Sequence, residues 1–146
     1  ISGVELPDGW YLVQRPKYEC RDDGVPAQLS LGGELLSLFV EEHVMVARIC
    51  CWKDGKRVWS VLHSSEKGDH HLEADGDLPP EFLSIRDAFT KKKGETSYFE
   101  IPCSLAASLT GYQYDGPLQE RPLFEVLALP PWWERLLATY PGLFWS

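Results

Sequence analysis

The alternation of apolar and polar positions is clearest between residues 44 and 63. Two segments, 44–52 and 56–63, are rich in β-branched, aromatic and other apolar residues, and they flank the pair Asp54-Gly55. An Asp-Gly pair between two such segments is typical of the two-residue type I′ turn, because both turn positions need a positive φ angle. The pattern therefore predicts a β-hairpin at the centre of the chain.

A two-residue turn also predicts the register of this hairpin. It pairs Cys50 with Trp59, and the neighbouring pairs follow in strict order. Because side chains alternate between the faces of a strand, one face is predicted to be apolar and to belong to the core, whereas the other mixes tryptophan with arginine. The predicted core face holds Met45, Ala47, Ile49, Cys51, Val58 and Leu62, and the mixed face holds Val46, Arg48, Cys50, Trp52, Arg57, Trp59, Val61 and His63.

Shorter patterns predict the elements around the hairpin. Phe82, Ile85 and Phe89 recur at helical spacing behind a Pro-Pro pair, which predicts a helix that ends near Gly94. Apolar residues at 35, 36, 38 and 39 fit one face of a short helix after Gly33. Residues 17–28 are predicted as a loop, 10–14, 69–75, 97–102 and 123–129 as strands, and 103–111 and 130–142 as further short helices.

This order of elements predicts an α+β fold. Strands that follow one another through tight turns form a mainly antiparallel sheet, here centred on the hairpin and its meander, which packs against three to four short helices. A length of 146 residues is that of one domain, so a single globular domain is predicted over 1–146.

The charge of the chain limits the classes of partner. The formal net charge is −8 and the isoelectric point is about 4.9, whereas a nucleic-acid-binding protein needs a basic face. No apolar segment approaches the roughly 18 residues of a membrane-spanning helix. The sequence therefore predicts neither a nucleic-acid nor a membrane partner, and the acidity suits either plain solubility or a basic protein partner.

The cysteines and histidines do not predict a metal or thiol site. Cys50-Cys51 and His70-His71 are adjacent pairs, and neighbours on a strand point to opposite faces. Cys103 is predicted near a helix start, where the dipole lowers a thiol pKa, but a buried small apolar role is favoured. No catalytic residue, metal or cofactor is predicted. Reduced thiols and a cytoplasmic location follow from cysteine spacing that lacks a disulfide framework.

A stripe of polar residues leaves two interpretations open. Asp69, His71, Glu73 and Asp75 alternate along one predicted strand face, a pattern that could bind a cation or serve as a general base in a small hydrolase, with His63 or His71. The same pattern is typical of an edge strand whose charges prevent aggregation.

The aromatic residues predict either packing or a partner-binding surface. Tryptophan and arginine are enriched at the energetic centres of protein interfaces, and the mixed face of the hairpin holds both. A second aromatic group, Trp132, Trp133, Tyr140, Phe144 and Trp145, lies near the C-terminal end. The residues predicted to bind a partner are Trp52, Arg57, Trp59, His63, Asp69, His71, Glu73 and Asp75.

Two blocks of sequence resemble a known class of proteins. The first holds W59-S60-V61-x-H63, Gly68, residues 76–82 (GDLPPEF) and I85-R86-D87, and the second is FEIPCSLAASLTGYQYD at 99–115. Together they resemble small cytosolic bacterial proteins of the polymorphic-toxin immunity type, including those paired with type VI secretion or Rhs toxins. The resemblance covers about the middle half of the chain, and its motifs concern strand and helix packing.

The resemblance implies a function in bacterial competition. Proteins of this type are acidic α+β binders that mask a cognate toxin domain, and many of those toxins are nucleases. An immunity protein with a basic toxin as its partner is therefore expected, and no catalytic residue is carried over. A small hydrolase that uses the stripe at 69–75 and a secretion adaptor or scaffold are the alternatives.

Overall fold

The computed structural model describes residues 2–6, 9–14, 23–91, 97–116, 123 and 125–126. Over these residues the chain has two antiparallel sheets and three α-helices. The predicted α+β class and its mainly antiparallel sheet are therefore confirmed. None of the helices in this described part of the chain is long and apolar enough to cross a membrane.

The larger sheet has four strands in the order of the sequence. The strands among the described residues are β1 (Ser2–Glu5), β2 (Tyr11–Gln14), β3 (Glu34–Glu41), β4 (Val46–Lys53), β5 (Lys56–Ser64), β6 (Glu73–Gly76) and β7 (Glu125–Val126). The helices there are α1 (Gly24–Leu29), α2 (Glu81–Lys91) and α3 (Glu100–Thr110), with a 3₁₀ turn at Ser65–Lys67. Strands β3 to β6 form the four-stranded sheet, and β1 lies between β2 and β7 in the smaller one.

The predicted hairpin turn is confirmed. Asp54 and Gly55 join β4 to β5 with φ angles of 49° and 79°, and Trp52 pairs with Arg57 as the two-residue turn requires. The amide of Gly55 also donates to the hydroxyl of Ser30 at 3.0 Å, which fixes the turn against the end of α1.

The predicted register beyond the turn is wrong by one residue. A β-bulge lies between the first pairs of the hairpin, so that Cys51 pairs with Trp59 and Cys50 with Ser60. The extra residue is Val58, and an extra residue on one strand exchanges the faces of every side chain that follows it. The predicted faces of β5 are therefore reversed: Trp59, Val61 and His63 join the face of Ile49, and Leu62 joins the face of Arg48.

Gly76 on β6 allows a close approach to the bulge. It pairs with Trp59 and has a φ angle of +86°. A Cβ atom at this position would overlap the carbonyl oxygen of Val58 and lie 2.8 Å from the Cα atom of Trp59. The amide of the following residue, Asp77, donates to the same Val58 carbonyl at 3.2 Å. The bulge therefore depends on a residue without a side chain on the neighbouring strand.

Helices α2 and α3 cover one face of the larger sheet. Phe82 of α2 and Ile101 and Leu105 of α3 are buried against strand residues of that face. The half-buried Ile85 and Phe89 pack against the same cluster, which confirms the predicted apolar face of α2. The strand residues of this core are Leu36, Leu38, Ile49, Cys51, Trp59 and Val61.

Several predicted elements differ from the observed ones. Residues 34–41 form a strand rather than a helix, because each face of β3 packs against a different helix and apolar residues therefore occur on both. The predicted strand at 97–102 is wrong, since α3 begins at Glu100 and Pro102 is tolerated in its first turn. The segment predicted as a loop contains α1, and the strand predicted at 69–75 is shortened to β6.

The end of α3 follows the prediction. Gly111 adopts the left-handed conformation, with a φ angle of 72°, directly after the last helical residue. The predicted cap at Gly94, the helix at 130–142 and the C-terminal aromatic group lie outside the described residues. Of the last predicted strand, at 123–129, the described residues include β7.

Candidate functional site

Two residues predicted to bind a partner lie in the core. Trp59 is 5% exposed and His63 is fully buried, both on the sheet face that α2 and α3 cover. Their predicted position on the mixed face is wrong, because the bulge at Val58 moves them to the opposite face. Neither side chain is available to a partner in this structure.

Trp52 lies on the predicted face but is covered by α1. Its side chain is 4% exposed and packs with Val25, Leu35 and Cys50. Its indole Nε1–H donates to the hydroxyl of Ser37 at 3.3 Å. Trp52 is therefore a packing residue whose polar group is satisfied inside the fold.

Arg57 belongs to an ion-paired group at the start of α1. The carboxylate of Asp23 accepts hydrogen bonds from Arg48 Nη1 at 3.0 Å and from Arg57 Nη1 at 2.8 Å. Since Asp23 directly precedes α1 and the two arginines lie on β4 and β5, these bonds fix the helix to the sheet. Helix α1 covers one end of the sheet face that lies opposite α2 and α3. The two arginines lie where this covered part ends.

The rest of this face forms a groove of about 680 Å³, which we call the sheet groove. Apart from Arg48, which lies on β4 between Phe39 and Leu62, its floor is apolar: Phe39, Val46 and Leu62 are half-buried, and Val44 at the end of the floor is 57% exposed. Ser60 and Ser64 add hydroxyl groups between the apolar side chains. The remaining lining residues are Asp23, Arg48, Arg57, Glu66, Lys67, Glu73, Ala74 and Asp75.

One side of the sheet groove carries an acidic edge formed by β6 and its flanking residues. Glu73 pairs with Leu62 and Asp75 pairs with Ser60, so both carboxylates stand beside the apolar floor. Asp69 and Asp77, before and after the strand, are also exposed. Lys67 Nζ lies 2.6 Å from Glu73 Oε1, and this ion pair, with His71, holds the pKa of the Glu73 carboxyl below its usual range.

The predicted stripe at 69–75 is only partly regular. Glu73 and Asp75 share the groove face as predicted, whereas Asp69 and His71 precede the strand. The His71 ring is engaged at both nitrogens: Nδ1 accepts from the amide of Ser64 at 3.0 Å, and Nε2–H donates to Glu73 at 3.0 Å. Among the described residues, no three His, Cys, Asp or Glu side chains form a group that could hold a metal ion.

The three described cysteines and His63 are buried. Burial raises the pKa of the Cys50 thiol to about 11 and of the Cys51 and Cys103 thiols to about 12, so all three stay protonated near neutrality. Cys103 packs with Ala47 and Phe99, as predicted for a small apolar residue. Burial also lowers the pKa of His63. This geometry does not favour a thiol nucleophile at these cysteines or a general base at His63.

The apolar floor of the sheet groove was not predicted to be a site. Phe39 lies in the segment interpreted as a helix, and Leu62 was predicted on the core face. A strict alternation around Asp-Gly contains no signal for a bulge. The one available signal is the segment VWSVLH. Without a bulge, its largest apolar residue, Trp59, would lie on the face opposite the core.

Comparison with protein-family models, with curated proteins and with solved structures gave no match in any of the three.

Proposed function

We propose that this protein is a non-catalytic binding protein of the immunity type, which binds and neutralises a cognate bacterial toxin domain through the sheet groove. The observation that carries this proposal is an apolar floor of Phe39, Val46 and Leu62 beside an acidic edge. An apolar centre with a charged rim is the usual anatomy of a protein-binding surface. The resemblance to toxin-immunity proteins supports the same function, and cytoplasmic action belongs to the proposal.

The chemistry of the sheet groove specifies the partner. Glu73 and Asp75 on one side, with Asp69 and Asp77 beyond them, attract a basic surface, while the floor requires an apolar side chain that protrudes from it. The net charge of −8 adds long-range attraction, which raises the association rate with a basic protein. The proposed occupant is therefore a basic toxin domain that inserts an apolar side chain into the sheet groove.

Binding that inactivates the partner distinguishes an immunity protein from a secretion adaptor. An adaptor would use a similar surface but would leave the activity of the bound toxin unchanged. The proposal therefore predicts that this chain, co-expressed with the product of a neighbouring gene, restores growth to cells that the product otherwise kills. If co-expression of this chain rescued cells from none of the products of neighbouring genes, the proposal would be overturned. Binding of such a product without rescue would favour the adaptor.

Changes in the sheet groove should weaken that rescue. Leu62→Asp puts a charge on the apolar floor, and we expect a loss of affinity of at least tenfold, about 1.4 kcal/mol or more. The matched control is Leu83→Asp on α2, where the leucine is 54% exposed on the opposite side of the sheet. Isothermal titration with a catalytically inactive toxin measures the two affinities. Equal losses for both variants would contradict the assignment of the groove.

A further inference from the structure

His63 occupies a site that accepts only a neutral ring. It is fully buried, pairs across the sheet with Ala47, and meets the edge of Phe99 with ring centroids 6.2 Å apart. Its Nδ1–H donates to the carbonyl oxygen of His71 at 2.8 Å. Its Nε2 is buried and has no hydrogen-bond partner among the described residues. Protonation would therefore add a charged N–H group where no acceptor receives it.

His71 uses both of its ring nitrogens in hydrogen bonds. Because its Nδ1 accepts from the backbone amide of Ser64, the proton of the neutral ring resides on Nε2, which donates to Glu73. A proton on Nδ1 would remove the acceptor that the Ser64 amide uses. The two histidines thus connect the buried end of β5 to the acidic edge of the sheet groove.

These contacts fix the segment between β5 and β6. The His63 ring holds the backbone at residue 71, and the His71 ring holds the backbone at residue 64. The intervening residues are otherwise exposed or half-buried and include the 3₁₀ turn at Ser65–Lys67. Lys67 at the end of this turn is the ion-pair partner of Glu73. The two imidazoles therefore hold part of the groove wall, together with the backbone bonds from Ser65 to Met45 and from Tyr98 to Asp69.

We propose that His63 and His71 form an acid-sensitive latch that holds residues 64–72 and, through them, the acidic edge of the sheet groove. Protonation of His63 breaks the latch, residues 64–72 separate from the end of β5, and a partner bound at this edge is released. The release step rests on the proposed function, whereas the latch is a property of the free protein.

The groups around His63 determine the direction of its pH dependence. Burial is the largest cause and lowers the pKa of His63. The hydrogen bond to the backbone carbonyl of His71 and the charge of Asp69 act in the opposite direction, and the His71 ring acts with burial. From α3, Phe99 is apolar, the Cys103 thiol is neutral and Glu100 is exposed. From β4, Ala47 carries no charge. Desolvation is therefore the dominant cause.

The sign of the effect on stability follows from this lowered pKa. An unfolded chain binds a proton at His63 below its ordinary pKa of 6.5, while the folded chain does not. Above that pH neither state is protonated and the residue has no effect on stability. Stability is lost as the pH falls below 6.5, and for one such group the unfolding equilibrium constant rises by at most about tenfold per pH unit.

The latch is tested by urea unfolding of the free protein between about pH 7.5 and 5.5. As the pH falls, His63 should raise the unfolding constant of the wild type by up to about tenfold per pH unit. We expect this part of the rise to be lost in His63→Asn, whose amide retains a donor, and in His63→Phe, which retains the ring. The matched control is His43→Gln, since His43 is 93% exposed, and it should keep the full wild-type dependence. An equal dependence in wild type and both His63 variants would overturn the latch.

Two measurements on the wild type keep the test independent of whether the variants fold. In long-range ¹H–¹⁵N spectra, His63 should remain a neutral Nδ1–H tautomer below its ordinary pKa of 6.5. Amide hydrogen exchange over 64–72 should accelerate more below pH 6.5 than exchange in α3, after correction for the intrinsic rates. A His63 ring that titrates near 6.5 while those amides stay protected would overturn the latch. Failure of the toxin to bind at about pH 7.5 would instead overturn the proposed function and the release step.

Discussion

Replacement of Gly76 by alanine is expected to unfold most of the protein at room temperature or to lower its stability by about 3–5 kcal/mol. The new Cβ atom would overlap the Val58 carbonyl oxygen and approach the Cα atom of Trp59 to 2.8 Å. Both are backbone atoms, so no side-chain rotation relieves the contact. The φ angle of +86° adds the strain of a left-handed residue. Such a loss is a large part of the 5–15 kcal/mol that stabilises a typical domain.

The control for this variant is Gly32→Ala. Gly32 has a φ angle of +78°, and a Cβ atom there would meet nothing within 4 Å. It therefore carries the same conformational strain without the overlap, and we expect a loss of about 1–2 kcal/mol. Urea unfolding followed by far-ultraviolet circular dichroism measures both values. A Gly76→Ala variant that is no less stable than Gly32→Ala would show that β6 does not lie against the bulge as described.

Removal of the Trp59 side chain is expected to lower stability by about 3–5 kcal/mol, the usual cost of replacing a large buried aromatic with alanine. Trp59 packs between the sheet and the helices, in the same cluster as Ile101 and Leu105. The measurement is the free energy of unfolding in urea. Binding of a partner by the variant that remains folded should be nearly unchanged, since the tryptophan does not line the sheet groove.

Leu62→Ala is the control, and it tests the register of the hairpin. The half-buried Leu62 lies on the groove floor, so its truncation should cost about 1 kcal/mol or less in stability. The same truncation should lower the affinity for the partner. A hairpin with strict alternation would give the opposite order, with Leu62 in the core and Trp59 on the surface. Greater destabilisation by Leu62→Ala than by Trp59→Ala would therefore contradict the observed bulge.

The contrast between Trp59 and Leu62 shows where prediction from the sequence stops. The turn at Asp54-Gly55 is a local property, because those two residues adopt positive φ angles more readily than most. The bulge at Val58 is a tertiary property. It depends on the burial of Trp59 under the helices and on Gly76, which is remote from the turn in sequence and leaves space for the Val58 carbonyl.

The same limit explains the error at residues 34–41. Leu35 and Leu36 are neighbours that are both buried, one under α1 and the other under α3 and α2. A strand that is covered on both faces loses its alternation, and its pattern then resembles that of a helix. The start of α2 after Pro79-Pro80 and the end of α3 at Gly111 were predictable because those signals are local.

The sheet groove follows from these same tertiary features. Its carboxylates, Glu73 and Asp75, were recognisable from their alternation along a strand. Its floor was not, because Phe39 and Leu62 come to share one face, on either side of Arg48, only after β3 is paired and the bulge is formed. The charge of the site was thus predictable, whereas its shape was not.

Hydrogen–deuterium exchange of the complex with an inactive form of the neighbouring toxin tests the central claim most directly. If the sheet groove binds the toxin, amides of β5, of β6 and of the segment that joins them should exchange more slowly in the complex, and those of α2 should not change. Protection confined to α2, with β5 and β6 unaffected, would contradict the account.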